Sequence, residues 1–227
     1  MIIGVSGVAN SGKDTFARFL VEDHGFVVVS LADPLKRICR EIFDFTDEQL
    51  WGPSEHRNRP DLRYPTQKCA GCQSCEFRCD HWYYLSPRHA LQQLGTNWGR
   101  DCYENVWVEY TMRVAKRLMT GPYVYSAKEG LRDVQGVLVP PGTMAAGGVA
   151  IPDVRFKNEV EGVRAAGGKV IRIRRPGAGL SGAAALHPSE TEQASIPDEA
   201  FDIVVENNGT LEELRAKAAA LLTHFRP

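Results

Sequence analysis

Ile2-Ile3-Gly4-Val5-Ser6-Gly7-Val8-Ala9-Asn10-Ser11-Gly12-Lys13-Asp14-Thr15 decides how this chain folds. The apolar run Ile2-Ile3-Gly4-Val5 reads as a buried strand. Beyond Thr15 a helical pattern sets Phe16, Ala17, Leu20 and Val21 on one side, with Gly25 as its stop. Between strand and helix, Gly7 and Gly12 let the backbone turn sharply and aim N–H groups inward. The helix adds the positive end of its dipole, and Lys13 a mobile point charge. Strand, glycine loop, lysine and helix are the parts of a P-loop, which cradles the phosphates of a nucleoside triphosphate. The competing reading is a glycine-rich turn that holds no ligand.

The residue after Lys13 departs from the motif. A serine or threonine that holds Mg²⁺ is expected there, but Asp14 stands in its place and the hydroxyl follows at Thr15. Adenylate-kinase-like enzymes carry the same shift. An indirect metal contact, through water, is therefore expected from Asp14 or Thr15.

Working outward, Phe26-Val27-Val28-Val29-Ser30 is a second buried strand, as suits a parallel sheet covered on both faces. Asp33 and Pro34 read as N-cap and first residue of a helix with Leu35, Ile38, Cys39, Ile42 and Phe43 on one face. Cys39 reads as a core thiol. From about Asp47 to Leu85 the periodicity breaks down, and this stretch is expected to be an insertion. Ser86-Pro87 opens another helix, with Gly95 as its C-cap. A further helix covers about Glu104 to Met119, striped by Trp107, Tyr110, Val114 and Leu118. Tyr123-Val124-Tyr125 is a short strand. Lys128 to Gly148 is expected to be a hairpin or a mobile lid. Val149–Asp153 is the next core strand, followed by a helix with Val160 and Val163 inward and Gly167-Gly168 as its stop. Val170–Arg174 is a strand, Ala178 to Pro197 a loop, and Phe201–Val205 a last strand. Thr210 and Glu213 form a capping box for a helix whose buried face is Leu211, Leu214, Ala218, Leu221 and Leu222. The whole predicts an α/β fold: one domain over 1–227, its doubly wound parallel sheet of about five strands flanked by helices.

Composition narrows the partners. A formal net charge of −1 argues against a general binder of nucleic acid or membrane surface. No apolar stretch reaches about 18 residues, so no spanning helix is expected. The first strand starts at once, so no signal peptide is expected. Four of the six cysteines crowd into one segment, and a P-loop needs cellular ATP or GTP. Both favour a reducing, cytoplasmic setting.

Phosphoryl transfer between nucleotides needs positive donors and in-line placement, with little covalent chemistry. The candidates are Lys13, Arg88, Arg155, Arg174 and Arg175. Any one arginine alone reads as a solvated surface charge. Arg155 stands out because Pro152-Asp153-Val154-Arg155 ends a strand, with Asn158 and Glu159 close by. Asp153 is the natural Mg²⁺ partner, directly or through the ion's surroundings; its alternative role is N-cap of the Phe156 helix, and it could do both.

The ordered set of motifs resembles the deoxynucleoside monophosphate kinases of tailed bacteriophages. It comprises Ser6–Thr15, Leu31–Lys36, Arg88–Thr96, Trp107-Val108, Pro152–Arg155 with Asn158-Glu159, Arg175-Pro176-Gly177 and Glu206–Glu213. The resemblance implies a P-loop kinase fold of the nucleotide-monophosphate-kinase type, with ATP as donor, a deoxynucleoside 5′-monophosphate as acceptor, and Mg²⁺. It implies ATP contacts from Asn10, Ser11, Gly12, Lys13, Asp14, Thr15, Arg175 and Asn207. It places Asp33, Lys36, Arg88, Gly95, Thr96, Trp107, Asp153, Arg155, Asn158 and Glu159 around the acceptor, with Lys13, Arg88, Asp153 and Arg155 as the catalytic set. Arg88 would grip the acceptor phosphate in a bidentate fork. Trp107 would stack on base or sugar, or else pack in the core. Asn207-Asn208 would border the adenine, as a similar turn does in dephospho-coenzyme A kinases, or else only turn the chain. His187-Pro188-Ser189-Glu190 resembles a loop near the family's active site, although its composition suits a solvated loop. Related phage enzymes suggest a homodimer, and a phage origin implies the host cytoplasm and a role in deoxynucleotide biosynthesis.

Cys69, Cys72, Cys75 and Cys79 depart from that family. Their spacing matches a bacterial ferredoxin run, but Asp80 replaces the proline that should follow. A structural zinc site, of four cysteines or with His81, is the preferred reading over an iron–sulfur cluster or free thiols. The metal would staple a polar insertion. Two alternatives accompany the kinase reading. One is a dephospho-coenzyme A kinase-like or other small-molecule kinase, which Arg88–Thr96 fits poorly. The other is a zinc-dependent nucleic-acid module using Arg57, Arg59, Arg63 and Arg78, whose charge Glu55, Asp61, Glu76 and Asp80 dilute.

Overall fold

In the computed structural model, the described residues are 1–68, 82–137, 145–179 and 188–225. All four clustered cysteines, Glu76, Arg78, Asp80, His81 and His187 lie outside them. In chain order the elements are β1 (Ile2–Ser6), α1 (Lys13–His24), β2 (Phe26–Val28), α2 (Asp33–Phe43), α3 (Asp47–Trp51) and α4 (Ser54–Asn58). Next come β3 (Pro65–Lys68), β4 (Trp82–Tyr84) and α5 (Pro87–Gln92), which runs into a π-helical turn, Gln93–Arg100. Then follow α6 (Val106–Thr120), β5 (Tyr123–Ser126), β6 (Gly130–Asp133), β7 (Gly148–Val154), α7 (Lys157–Ala165) and β8 (Lys169–Arg174). The chain continues through α8 (Pro188–Ser195), a 3₁₀ turn (Asp198–Ala200), β9 (Ile203–Glu206) and α9 (Leu211–Phe225). They fall into two units, one of Met1–Asp33 with Glu104–Pro227, the other of Pro34–Tyr103.

The first unit holds a parallel sheet in the order β2-β7-β1-β8-β9. β1 is central and buried at every residue. Alternate side chains of a strand point to opposite faces. Ile3 and Val5 accordingly pack with Phe16 and Leu20 of α1 and Leu214 and Ala218 of α9. Gly4 faces the other way, where a Cβ would lie 3.4 Å from Val163 of α7. Helices thus cover both faces, as the unbroken apolar strands require. Each fully buried aliphatic side chain here contributes about 1.5–3 kcal/mol. The connection from β1 runs toward β2 and that from β8 toward β9, on opposite sides, so the carboxyl end of β1 is a topological switch point.

Local signals hold well at the helix ends. Gly25 closes α1 at φ 67°, a left-handed conformation, and Thr210 and Glu213 bond each other's backbone N–H at 3.2 and 3.0 Å. Other expectations fail, among them that for Val21, which is 39% exposed. Pro188–Ser195, expected within a loop, is α8. Leu211 is 59% exposed, because it opens α9 outside the face set by Leu214 and Ala218. Asp33 does not cap α2 from outside; it is the first helical residue, and its carboxylate turns back to accept from Ser30 N at 3.1 Å. β5, the short strand expected at Tyr123–Tyr125, pairs antiparallel with β6, which lies inside the Lys128–Gly148 stretch. Among the described residues no helix is long and apolar enough to cross a membrane.

The second unit contains the stretch whose periodicity broke down. Thr46 and Gln49 form a capping box that starts α3, and β3 pairs antiparallel with β4. Its core gathers Cys39, Phe45, Leu50 and Ala90 with Phe43, Tyr64 and Leu94. Cys39 is fully buried, and burial pushes its thiol up to about 11. Ile42, expected on the buried face of α2, is 67% exposed. Gly95 ends no helix: it lies inside the π turn, where a Cβ would meet Leu35 at 3.3 Å.

Candidate functional site

Between β1 and α1 the glycine loop, Gly7–Gly12, commits every carbonyl but that of Asn10 to the protein. Gly7 O accepts from Gln193 Nε2 at 3.1 Å, and Ser11 O from Asn207 Nδ2 at 2.8 Å. Val8 O accepts from Ser11 N at 3.1 Å, Ala9 O from Gly179 N at 2.9 Å, and Gly12 O from Phe16 N at 2.9 Å. A planar trans peptide points its C=O and its N–H in opposite directions. Carbonyls turned into the protein therefore turn the following N–H groups away from it. No acceptor among the described residues takes the N–H of Val8, Ala9, Asn10 or Gly12. Asn10 adopts φ 64° at the loop tip and Gly12 φ 95° at its exit. This donor set, ahead of the α1 dipole, suits a polyphosphate.

Lys13 begins α1 and is only 7% exposed. Its ammonium donates to Asp14 Oδ2 at 2.9 Å, and that carboxylate is open to solvent. Ser11 Oγ is buried and has no partner among the described residues.

Two side chains shape the loop from far away in sequence. Asn207 follows β9 and is buried; its N–H donates to Arg174 O at 2.7 Å while its amide holds Ser11 O. The Asn207 amide is thus engaged with the glycine loop. Gln193 of α8 was not foreseen, because one glutamine in a polar run carries no local signal. It is buried, and Nε2 reaches Ser6 Oγ at 3.2 Å, Gly7 O at 3.1 Å and Val154 O at 3.3 Å. Its Oε1 stays buried without a partner among the described residues, which costs about 1–3 kcal/mol.

At the carboxyl end of β7, Asp153 spreads both oxygens over backbone amides, Oδ1 on Leu31 N at 2.9 Å and Oδ2 on Ala32 N at 3.1 Å. Burial raises its pKa, against the pull of those N–H groups and of Arg155, and with Asp33 adding to the rise. Asp33 is buried and accepts from Tyr125 Oη at 2.9 Å. These two carboxylates shape the loop after β2. Asp153 does not cap α7. That task falls to the buried Glu159, whose Oε2 accepts from Arg155 N at 2.7 Å and Phe156 N at 3.0 Å. Asn158 donates to Glu104 O at 3.1 Å and Asn105 Oδ1 at 2.9 Å, tying α7 to the start of α6. Trp107 is 7% exposed on the inner stripe of α6, which is the core-packing alternative.

Arg174 is engaged by Asp198 and, at 3.3 Å, by Glu206. Asp198 and Glu206 hold the Arg174 pKa above its ordinary value. Arg175 is exposed, with no bonded side-chain partner among the described residues. Its loop is anchored on the glycine loop through Gly179 N and Ala9 O. Loop, Lys13, Asp153, Arg155, Arg175 and Asn207 therefore gather along one edge of the sheet.

Lys36, Arg88, Gly95 and Thr96 belong to the second unit. Lys36 lies over the Trp51 ring at 5.8 Å. The Arg88 Nε donates to Asn58 Oδ1. Burial lowers the pKa of Arg57, and the neighbouring charge of Arg88 lowers it further. Among the described residues no group of three or more His, Cys, Asp or Glu is placed to hold a metal ion.

No protein-family model matches the chain. A crystal structure of TT1252 from Thermus thermophilus is similar at 18% identity, over 100% of this chain and 98% of that one, with a TM-score of 0.44. A protein of Acanthamoeba polyphaga mimivirus, which bears the provisional name deoxynucleotide monophosphate kinase, is 33% identical over 213 residues, or 94% of this chain and 91% of its own length. Neither likeness ties the chain to a phage. A likeness of that identity, over nearly the full length of both proteins, is shared family: the chain belongs to the deoxynucleotide monophosphate kinases.

Proposed function

We propose that the chain transfers the γ-phosphoryl group of ATP to a deoxynucleoside 5′-monophosphate, giving ADP and the deoxynucleoside diphosphate. One observation carries this beyond the family: five of the six Gly7–Gly12 carbonyls accept from the protein, while the N–H groups of Val8, Ala9, Asn10 and Gly12 find no acceptor among the described residues. An oxygen of the acceptor phosphate attacks the γ-phosphorus as the bond to the β,γ-bridging oxygen breaks. The loop amides and Lys13 bear the charge on the donor phosphates. Arg155, at the end of β7, bears charge on the transferring group. For Arg88, with Arg57 beside it in the second unit, we propose an anion contact, since neighbouring guanidinium groups suit a dianion.

Magnesium needs only one or two protein carboxylates beside the phosphates. Asp14 fits, with its exposed carboxylate next to Lys13, and Thr15 follows. When bound, the ion screens the negative charge of the β- and γ-phosphates. Asp153 fits less well, since both its oxygens already serve backbone amides.

The test is ADP release against dGMP, dTMP, dCMP, AMP and dephospho-coenzyme A. Release that depends on a deoxynucleoside monophosphate is expected. Release with dephospho-coenzyme A alone overturns the assignment. For Cys69, Cys72, Cys75 and Cys79 we propose a structural zinc; metal analysis of protein purified without added metal tests it, and four titratable thiols with no zinc or iron reject it.

A further inference from the structure

We propose that Gln193 is a positioning residue for donor-nucleotide binding: by holding the Gly7 carbonyl it turns the Val8 N–H toward the phosphates. The inference rests on the phosphate-loop reading of Gly7–Gly12. Gly7 cannot be oriented by a side chain of its own. Any Cβ there would lie 2.4 Å from Ser11 Oγ and 2.7 Å from Ile173 O. Its peptide plane must be set by a partner, and that partner is Gln193 Nε2. The same amide bonds Ser6 Oγ, the last residue of β1, and Val154 O, the last residue of β7. One side chain thus ties the start of the loop to the strand end that carries Asp153 and leads to Arg155.

The orientation of this amide is forced. Two of its three neighbours are carbonyls, so only the NH₂ group can face them. The Oε1 is left buried with no partner among the described residues. An apolar side chain of the same length would fill the space without stranding an oxygen. What the amide alone supplies is its grip on Gly7 and Val154. Gln193 is itself held in place, since Arg172 of β8 donates from Nη2 to the Gln193 carbonyl at 3.0 Å. Arg172 Nη1 binds Asp198 at 2.8 Å, and the guanidinium lies 4.1 Å from the Phe201 ring centre. The grip therefore exists before any ligand arrives.

The test uses the full-length chain with Gln193→Met, which keeps length and removes the donor, and Gln193→Glu, which sets an acceptor against acceptors. Inorganic tripolyphosphate and ATP are titrated by calorimetry, and steady-state rates are measured alongside. Both variants are expected to bind tripolyphosphate and ATP roughly 10- to 100-fold more weakly, with KM for ATP raised alike and KM for the acceptor within about twofold of wild type. A purely structural role would lower the folded fraction, and so kcat, and leave both KM values unmoved. In nitrogen-15-labelled wild type the Val8 amide resonance should shift on adding tripolyphosphate. A folded variant that binds both probes as wild type does, or an unmoved Val8 resonance while wild type binds, overturns the assignment and leaves the phosphate loop intact. Wild type that binds neither probe overturns the phosphate loop itself, and the role of Gln193 with it.

Discussion

Replacing Gly12 with alanine probes the loop at its tightest point. Gly12 sits at φ 95°, where an L side chain is strained by about 1–2 kcal/mol. Its new Cβ would lie 2.3 Å from Asn207 Nδ2, so the amide must leave Ser11 O. That forfeits about 0.5–1.5 kcal/mol more. The sum, roughly 1.5–3.5 kcal/mol, corresponds to a fall in unfolding temperature of about 3–14 °C for a chain of this size. Gly177 supplies the control: its φ is 72° and no atom lies within 4 Å of an added Cβ. Gly177→Ala should show the strain alone. Gly12→Ala should exceed it by the lost Asn207 bond. In the pair Gly12→Ala/Asn207→Ala the two effects should not add, because that bond can be lost only once. Circular dichroism melts of the four variants, with tripolyphosphate calorimetry, read all of this. Equal melting temperatures for Gly12→Ala and Gly177→Ala, or strict additivity in the pair, would refute the geometry.

Lys13→Ala is expected to lose roughly 10²-fold or more in turnover, since it removes the charge nearest the donor phosphates; near-normal ADP release would count against the assignment. Asp202 yields a pH signature. Burial raises its pKa, but the Val170 N–H, Lys169 and Arg164 outweigh it and hold the carboxyl below its ordinary 3.8. A depressed carboxylate stabilises the fold above the unfolded-state value and loses that contribution as pH falls through the folded one. Wild type should therefore outlast Asp202→Asn in denaturant at pH 7, with the gap closing below about pH 3.8; a gap independent of pH would refute this. Cys39 is buried and Cys102 exposed, so peptide mapping after native thiol labelling should find Cys102 modified and Cys39 protected until unfolding. Equal labelling of the two would show that the second unit's core is open.

The strand–loop–helix unit was legible because its signals are local. Apolar runs, glycine placement and a lysine at the helix start report on neighbours a few residues apart. The same holds for the capping box at Thr210 and for the covered parallel sheet, since Val and Ile runs record burial on both faces. α8 was missed because Pro188–Ser195 has little apolar periodicity, and what anchors it comes from other elements, Arg172 holding the Gln193 carbonyl and Gln193 reaching the end of β1. Gly95 was misread because a glycine needed for close packing on Leu35 looks, in sequence, like a glycine that stops a helix.

By itself the sequence determined that a glycine loop and a helix follow the first strand, because turn chemistry and periodicity act within one turn of helix or one strand. Only the tertiary structure decided which groups hold that loop. Gln193 and Asn207 reach Gly7 and Ser11 across separations of 186 and 196 residues. Those meetings depend on β8 and β9 adding to one side of β1 and β7 to the other. Strand order is set by long-range closure and packing, and no local pattern of residues records it.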